Sequence, residues 1–188
     1  MTPAAPSQRI LAICGSLRRH SRNRLLLEAF CRYSPAGVLV EMAPGLDMLP
    51  PFNPDHEGDA APAELEHFAE LVTRADGLII AAPEYAHGIP GVLKNALDWL
   101  VSRPEIPGKP VLLVHASTRG LFVREHLSEV LRTMSVRLFD TAPFELHLIG
   151  TSPEAANAIL DRADVVERIR LSIEGFAAFA VDCADLDT

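Results

Sequence analysis

The stretch Gly15-Ser16-Leu17-Arg18-Arg19-His20-Ser21-Arg22-Asn23 sets hydroxyl, amide and guanidinium side chains between an apolar run ending at Cys14 and an apolar helical stretch over residues 25–33. A helix start offers backbone N–H groups without partners and a positive partial charge, and side chains of these types add donors for phosphate oxygens. The composition suits a monophosphate. Gly-x-x-x-x-Gly-Lys and Gly-x-Gly-x-x-Gly are both absent, so a triphosphate loop is excluded and a buried dinucleotide is less favoured. A plainer use competes: Ser21 or Asn23 caps the helix and the arginines lie on the surface.

Residues 82–99 form the second informative stretch, with Pro83-Glu84-Tyr85-Ala86-His87-Gly88-Ile89-Pro90-Gly91 leading into Val92-Leu93-Lys94-Asn95-Ala96-Leu97-Asp98-Trp99. Its prolines and glycines make a stiff loop that brings backbone close to a planar ring, with Tyr85 able to lie against an aromatic face. The alternative is an ordinary strand-to-helix turn, with Tyr85 packed and Leu93, Leu97 and Trp99 in the core. Hydrolytic and metal chemistry find no support. Gly-x-Ser-x-Gly is missing, and the seven histidines include no His-Glu-x-x-His pair or other ligand spacing. His87 is read as a rim contact.

The elements that must position these loops are legible. Apolar runs at residues 9–14, 77–82 and 110–116 read as strands covered on both faces, with weaker strands at 38–42 and 136–148. Leu65, Phe68, Ala69 and Val72 follow helical spacing behind Pro62 in a helix expected to end at Asp76-Gly77. Ile159, Ala163, Val166, Ile169, Ile173 and Phe176 mark a C-terminal helix. Alternating strands and helices predict an α/β fold, a doubly wound parallel sheet of strand order 2-1-3-4-5 with helices on both faces. That order puts both loops at the same crevice. The loop at 44–62 is long enough to be a functional lid, an interface piece or a tolerated insertion.

One domain is expected over residues 9–182, between a frayed N-terminus at 1–8 and a tail at 183–188. The net charge of −8 disfavours nucleic acid and anionic membranes as partners. Against it, Arg9, Arg18, Arg19, Arg22 and Arg24 crowd the N-terminal segment and point to a small anion. Cys14, Cys31 and Cys183 are odd in number without metal or disulfide spacing, so a cytoplasmic location is expected.

Taken together, Gly15-Ser16-Leu17-Arg18 with Ser21 and Asn23, and Pro83-Glu84-Tyr85 with Pro90-Gly91 and Leu93-Lys94-Asn95-Ala96-Leu97-Asp98-Trp99, resemble the NADPH-dependent FMN reductase family. The likeness spans residues 9–181 and implies a flavodoxin-like fold. It also implies FMN as cofactor, NADPH or NADH as co-substrate, and electron transfer to a small acceptor such as a quinone, free flavin, chromate or an azo compound. By that resemblance Ser16, Arg18, Ser21 and Asn23 fall at the FMN phosphate, Pro83, Glu84 and Tyr85 at the isoalloxazine, and Ser117 in a third contacting loop. Arg119, or the backbone N–H groups of residues 117–120, is a candidate source of the positive charge that stabilises N1 of the reduced ring. A homodimer or homotetramer with flavin near the subunit interface is implied as well.

The chain departs from the family pattern at Ala86, where Asn is usual, and at Gly88, where Ser is usual. Losing one side-chain hydrogen bond to the flavin costs about 0.5–1.5 kcal/mol. The third loop, Ser117-Thr118-Arg119-Gly120-Leu121-Phe122-Val123-Arg124, replaces a Gly-rich stretch carried by many relatives. A flavodoxin-like one-electron carrier and a flavin-less binding module are the rival readings. Steady-state oxidation of NAD(P)H counts against the first and uptake of FMN against the second.

Overall fold

A computed structural model describes residues 7–141 and 143–185. The strands are β1 (Gln8–Cys14), β2 (Val38–Met42), β3 (Gly77–Ala81), β4 (Pro110–His115), β5 (Arg137–Leu138) and β6 (Phe144–Glu145). The helices are α1 (Arg22–Arg32), α2 (Ala63–Arg74), α3 (Gly91–Leu100), α4 (Leu121–Thr133), α5 (Pro153–Leu160) and α6 (Ala163–Asp185). The sheet is parallel with order β2-β1-β3-β4-β5, as the alternation of elements predicts, and β6 adds a sixth strand on β4.

Strand alternation divides the core. Leu11, Ile13, Leu78, Ile80 and Val111 face a layer made by α2, α3 and α4, whereas Ile10, Ala12, Ile79, Leu112 and Val114 face α1, α5 and α6. Burial on both faces is what makes β1, β3 and β4 continuous apolar runs.

The structure revises several boundaries. The expected strand at 136–148 is two short pieces. Arg137 and Leu138 pair with the start of β4, and Phe144 and Glu145 with its end. Pairs this short carry no periodicity. α2 ends at Arg74 rather than at Asp76-Gly77. The C-terminal helix is interrupted at Asp161-Arg162, which resets its phase, so Val165 is buried in place of Ala163 and Val166. β1 begins at Gln8 and α6 runs on through Asp185.

The loop at 44–62 carries three short 3-10 turns and is strapped to α3. Asn95 donates from Nδ2 to the Pro50 carbonyl at 2.9 Å and accepts the Phe52 N–H at 2.8 Å, while the Trp99 indole donates to the same carbonyl at 2.8 Å. The rings of Phe52 and Trp99 meet edge to face at 5.1 Å.

Candidate functional site

The loops that follow β1, β3 and β4 converge on a cavity of about 360 Å³ at the carboxyl ends of the strands, where parallel sheets bind ligands. Ser16, Arg18, Ser21 and Asn23 line it from the first loop, Pro83, Glu84 and Tyr85 from the second, and Ser117 and Arg119 from the third. Every site residue expected from the sequence therefore reaches one cavity. Gly15 lets the first two loops meet. A Cβ there would stand 3.0 Å from both the Ala82 Cβ and a Leu93 methyl carbon.

The first loop is an array of donors. Ser21 caps α1, its Oγ accepting the Arg24 N–H at 3.4 Å, and Ser16 Oγ accepts the Arg18 N–H at 3.3 Å. In the third loop, Ser117 Oγ accepts the Arg119 N–H at 2.9 Å. Each serine takes a backbone proton and keeps its own hydroxyl proton to give. Capping and anion binding are thus compatible uses of Ser21. Asn23 accepts the Ala116 N–H through Oδ1 at 3.3 Å, which ties α1 to the end of β4 and leaves its amide N–H₂ as a donor.

In the second loop the conformational demand falls where the sequence did not mark it. Ala86 and His87 have φ of 48° and 58° inside a turn closed by the Gly88 N–H on the Tyr85 carbonyl at 2.9 Å. Two consecutive left-handed residues make a type I′ turn, which favours Asn or Gly. Gly88 itself has no positive φ and Gly91 has open space where a Cβ would go. Relief of the strain at position 86 makes Ala86→Asn more stable by about 1 kcal/mol, raising Tm by about 2–4 °C in a thermal melt.

The Glu84 carboxylate is engaged elsewhere, accepting the Val123 N–H at 3.2 Å in the first turn of α4, so any ring contact at Glu84 falls to its backbone. Tyr85 is 53% exposed rather than packed. His87 stacks on Phe122 with ring centroids 4.4 Å apart, and neither residue lines the cavity.

Sequence reasoning missed His115, Arg124 and Ile149, which also line the cavity. Of these, only His115 carried a signal, as the last residue of β4. Arg124 pairs with Glu145 and donates to the Ser117 carbonyl at 2.6 Å, pinning the third loop. Burial, with the Arg124 charge second, holds the His115 pKa down at about 4. Because the unfolded chain takes up this proton near pH 6.5, the stability that neutral His115 allows is present above that pH and is lost as pH falls towards 4. His115→Gln accordingly flattens the pH 4–6.5 part of a stability profile measured by urea unfolding.

Among the described residues, the buried polar side chains are Ser16, Ser21, Asn23 and His115, each at most 7% exposed. All four line this cavity. Buried polar groups cost stability unless they are satisfied, so their gathering at one point marks a built polar site.

A doubly wound parallel sheet whose loops bring buried polar side chains and Tyr85 to one crevice is the frame on which flavin nucleotides bind in flavodoxin-like proteins. The chain belongs to the NADPH-dependent FMN reductase family, whose model matches residues 8–146. It is 33% identical over 141 residues to a quinone reductase of Escherichia coli, covering 72% of this chain and 75% of that one. An NAD(P)H-dependent FMN reductase of Pseudomonas aeruginosa is 33% identical over 159 residues, covering 81% and 85%. The solved structure of FerB, a flavoenzyme NAD(P)H:acceptor oxidoreductase from Paracoccus denitrificans, superposes with a TM-score of 0.76 at 20% identity over 93% of this chain and 98% of that one. At that identity the likeness shows the fold alone. The chain is an FMN-dependent NAD(P)H oxidoreductase.

Proposed function

We propose that Ser16, Arg18, Ser21 and Asn23 hold the FMN phosphate and that the ring lies between the backbone of residues 83–85 and the loop at 117–120. The convergence of the four buried polar side chains on one cavity carries this reading. The cavity volume lies within the range of small-molecule sites, about 300–1,000 Å³. Bound FMN supplies the electron transfer between a nicotinamide coenzyme and an acceptor, and the protein supplies position and charge.

The donors of the first loop and the start of α1 neutralise the phosphate. Arg119 and the N–H groups beside it put positive charge at the ring end of the cavity. Glu84, by capping α4, holds the second loop against the third and fixes the slot between them. Arg124 fixes it from the other side through the Ser117 carbonyl. The exposed Tyr85 ring at the cavity offers a surface suited to a flat acceptor, and the quinone reductases among the relatives make a small quinone the favoured one.

The test is a visible spectrum after FMN addition and desalting, followed by anaerobic NADPH. A retained flavin spectrum that bleaches supports the reading. A colourless protein that neither retains FMN nor quenches its fluorescence overturns it.

Leu17, Tyr85, Leu121, Phe122 and Ile149 stand exposed, and Tyr85 and Ile149 also line the cavity. We propose a homodimer or homotetramer that covers them, to be tested by light scattering. No helix among the described residues is long and apolar enough to cross a membrane. The three cysteines are free, which supports a cytoplasmic location.

A further inference from the structure

A second cavity, of about 280 Å³, lies on the other side of the β1–α1 loop, against the segment that follows β2. Ser16 and Arg18 line both cavities. The second one adds Arg19, Arg24 and Asp47. Arg24 is paired with Glu28 at 3.0 Å. No hydrogen bond or ion pair engages the guanidinium of Arg19 among the described residues, and Arg18 is turned over to the FMN phosphate in the reading above. Arg19 is therefore the cation this cavity has to itself.

Neighbouring strands lie about 4.8 Å apart, so the space beside β2 is some two strand spacings, roughly 10 Å, from the space between β3 and β4. An extended nicotinamide dinucleotide spans more than that. With its nicotinamide at the ring slot, it brings its adenosine end to the second cavity. An acidic residue suits a ribose 2′-hydroxyl and an arginine suits a 2′-phosphate, as dinucleotide-binding sheets illustrate. Both types are present here, and the choice turns on charge. Arg19, with five donors and no partner among the described residues, stands against an exposed, solvent-screened Asp47, while Arg24 and Glu28 balance each other.

Resting on the FMN reading above, we propose that this cavity takes the 2′-phosphate end of NADPH and that Arg19 sets the preference for NADPH over NADH. Two measurements test it. In the first, 2′,5′-ADP and 5′-AMP are titrated calorimetrically into FMN-saturated protein, so that the cofactor's own phosphate site is filled. The wild type is expected to bind 2′,5′-ADP about tenfold more tightly, a difference of about 1.4 kcal/mol, and Arg19→Ala to close the gap. In the second, the ratio of kcat/KM for NADPH to that for NADH falls about tenfold in Arg19→Ala and rises in Asp47→Asn.

Equal binding of the two nucleotides by the wild type, or a ratio unmoved by Arg19→Ala, overturns the proposal. If FMN is not retained, or is not bleached by either coenzyme, the functional reading fails first. That outcome is seen before either nucleotide is added.

Discussion

Arg18→Ala lowers the affinity for FMN by about 10–100-fold and leaves the affinity for riboflavin nearly unchanged. Arg18 lines the cavity together with Ser16 and Asn23, and hydrogen bonds to a charged group contribute about 1.5–3 kcal/mol, tenfold for each 1.4 kcal/mol. Riboflavin shares the ring and ribityl chain but lacks the phosphate, so it reports any loss that has another cause. Fluorescence quenching titrations of both ligands on both proteins measure the difference. Because Arg18 is exposed, raising the ionic strength narrows the gap between FMN and riboflavin in the wild type. Equal losses for the two ligands sink the phosphate assignment. They would place Arg18 at the ring or in the second cavity, where it also has a face.

Asn95→Ala destabilises the fold by about 2–3 kcal/mol and opens the loop at 44–62 to proteases, without a matching loss of FMN affinity. Its amide closes two hydrogen bonds on Pro50 and Phe52. Truncation leaves a backbone donor unpaired beside a packed helix, at about 1–3 kcal/mol for each unsatisfied group. The Pro50 carbonyl keeps the Trp99 indole, which limits the damage. For a chain of this size the shift in Tm is about 5–10 °C, read by circular dichroism, with cleavage mapped by mass spectrometry. The comparison matters because Asn95, on α3, sits inside the 82–99 motif whose spacing resembles a flavin site. A variant of normal Tm that binds FMN poorly contradicts the bracing role.

The motif at 82–99 thus mixes two functions that spacing cannot separate. Pro83, Glu84 and Tyr85 reach the cavity, whereas Asn95 and Trp99 turn away from it to hold the long loop down. Within that loop, Pro50 and Phe52 are tied to α3, and Pro44, Gly45 and Asp47 wall the second cavity. Glu84 makes the same point. Its carboxylate caps a helix that begins 37 positions further on, through a hydrogen bond to Val123, 39 positions away, and no local pattern announces such a partner.

What the sequence determined by itself is whatever short-range physics writes into it. β1, β3 and β4 are continuous apolar runs because helices cover both faces of the sheet. α2 shows its buried stripe directly. Strand order followed from the alternation of elements, and with it came the meeting of the loops at the carboxyl ends of the strands. The chemical types in those loops set the class of ligand.

Tertiary structure alone decided the rest. It put left-handed backbone on Ala86 and His87, in a turn closed between Tyr85 and Gly88, and broke the edge strand into two short pairs. Arg18 became a wall shared by two cavities, and His115 was buried, which, with the Arg124 charge second, depresses its proton affinity. Each of these depends on partners far away in the chain. Composition and spacing reveal which groups a loop can offer, but burial and the direction of a side chain are set by what packs against it.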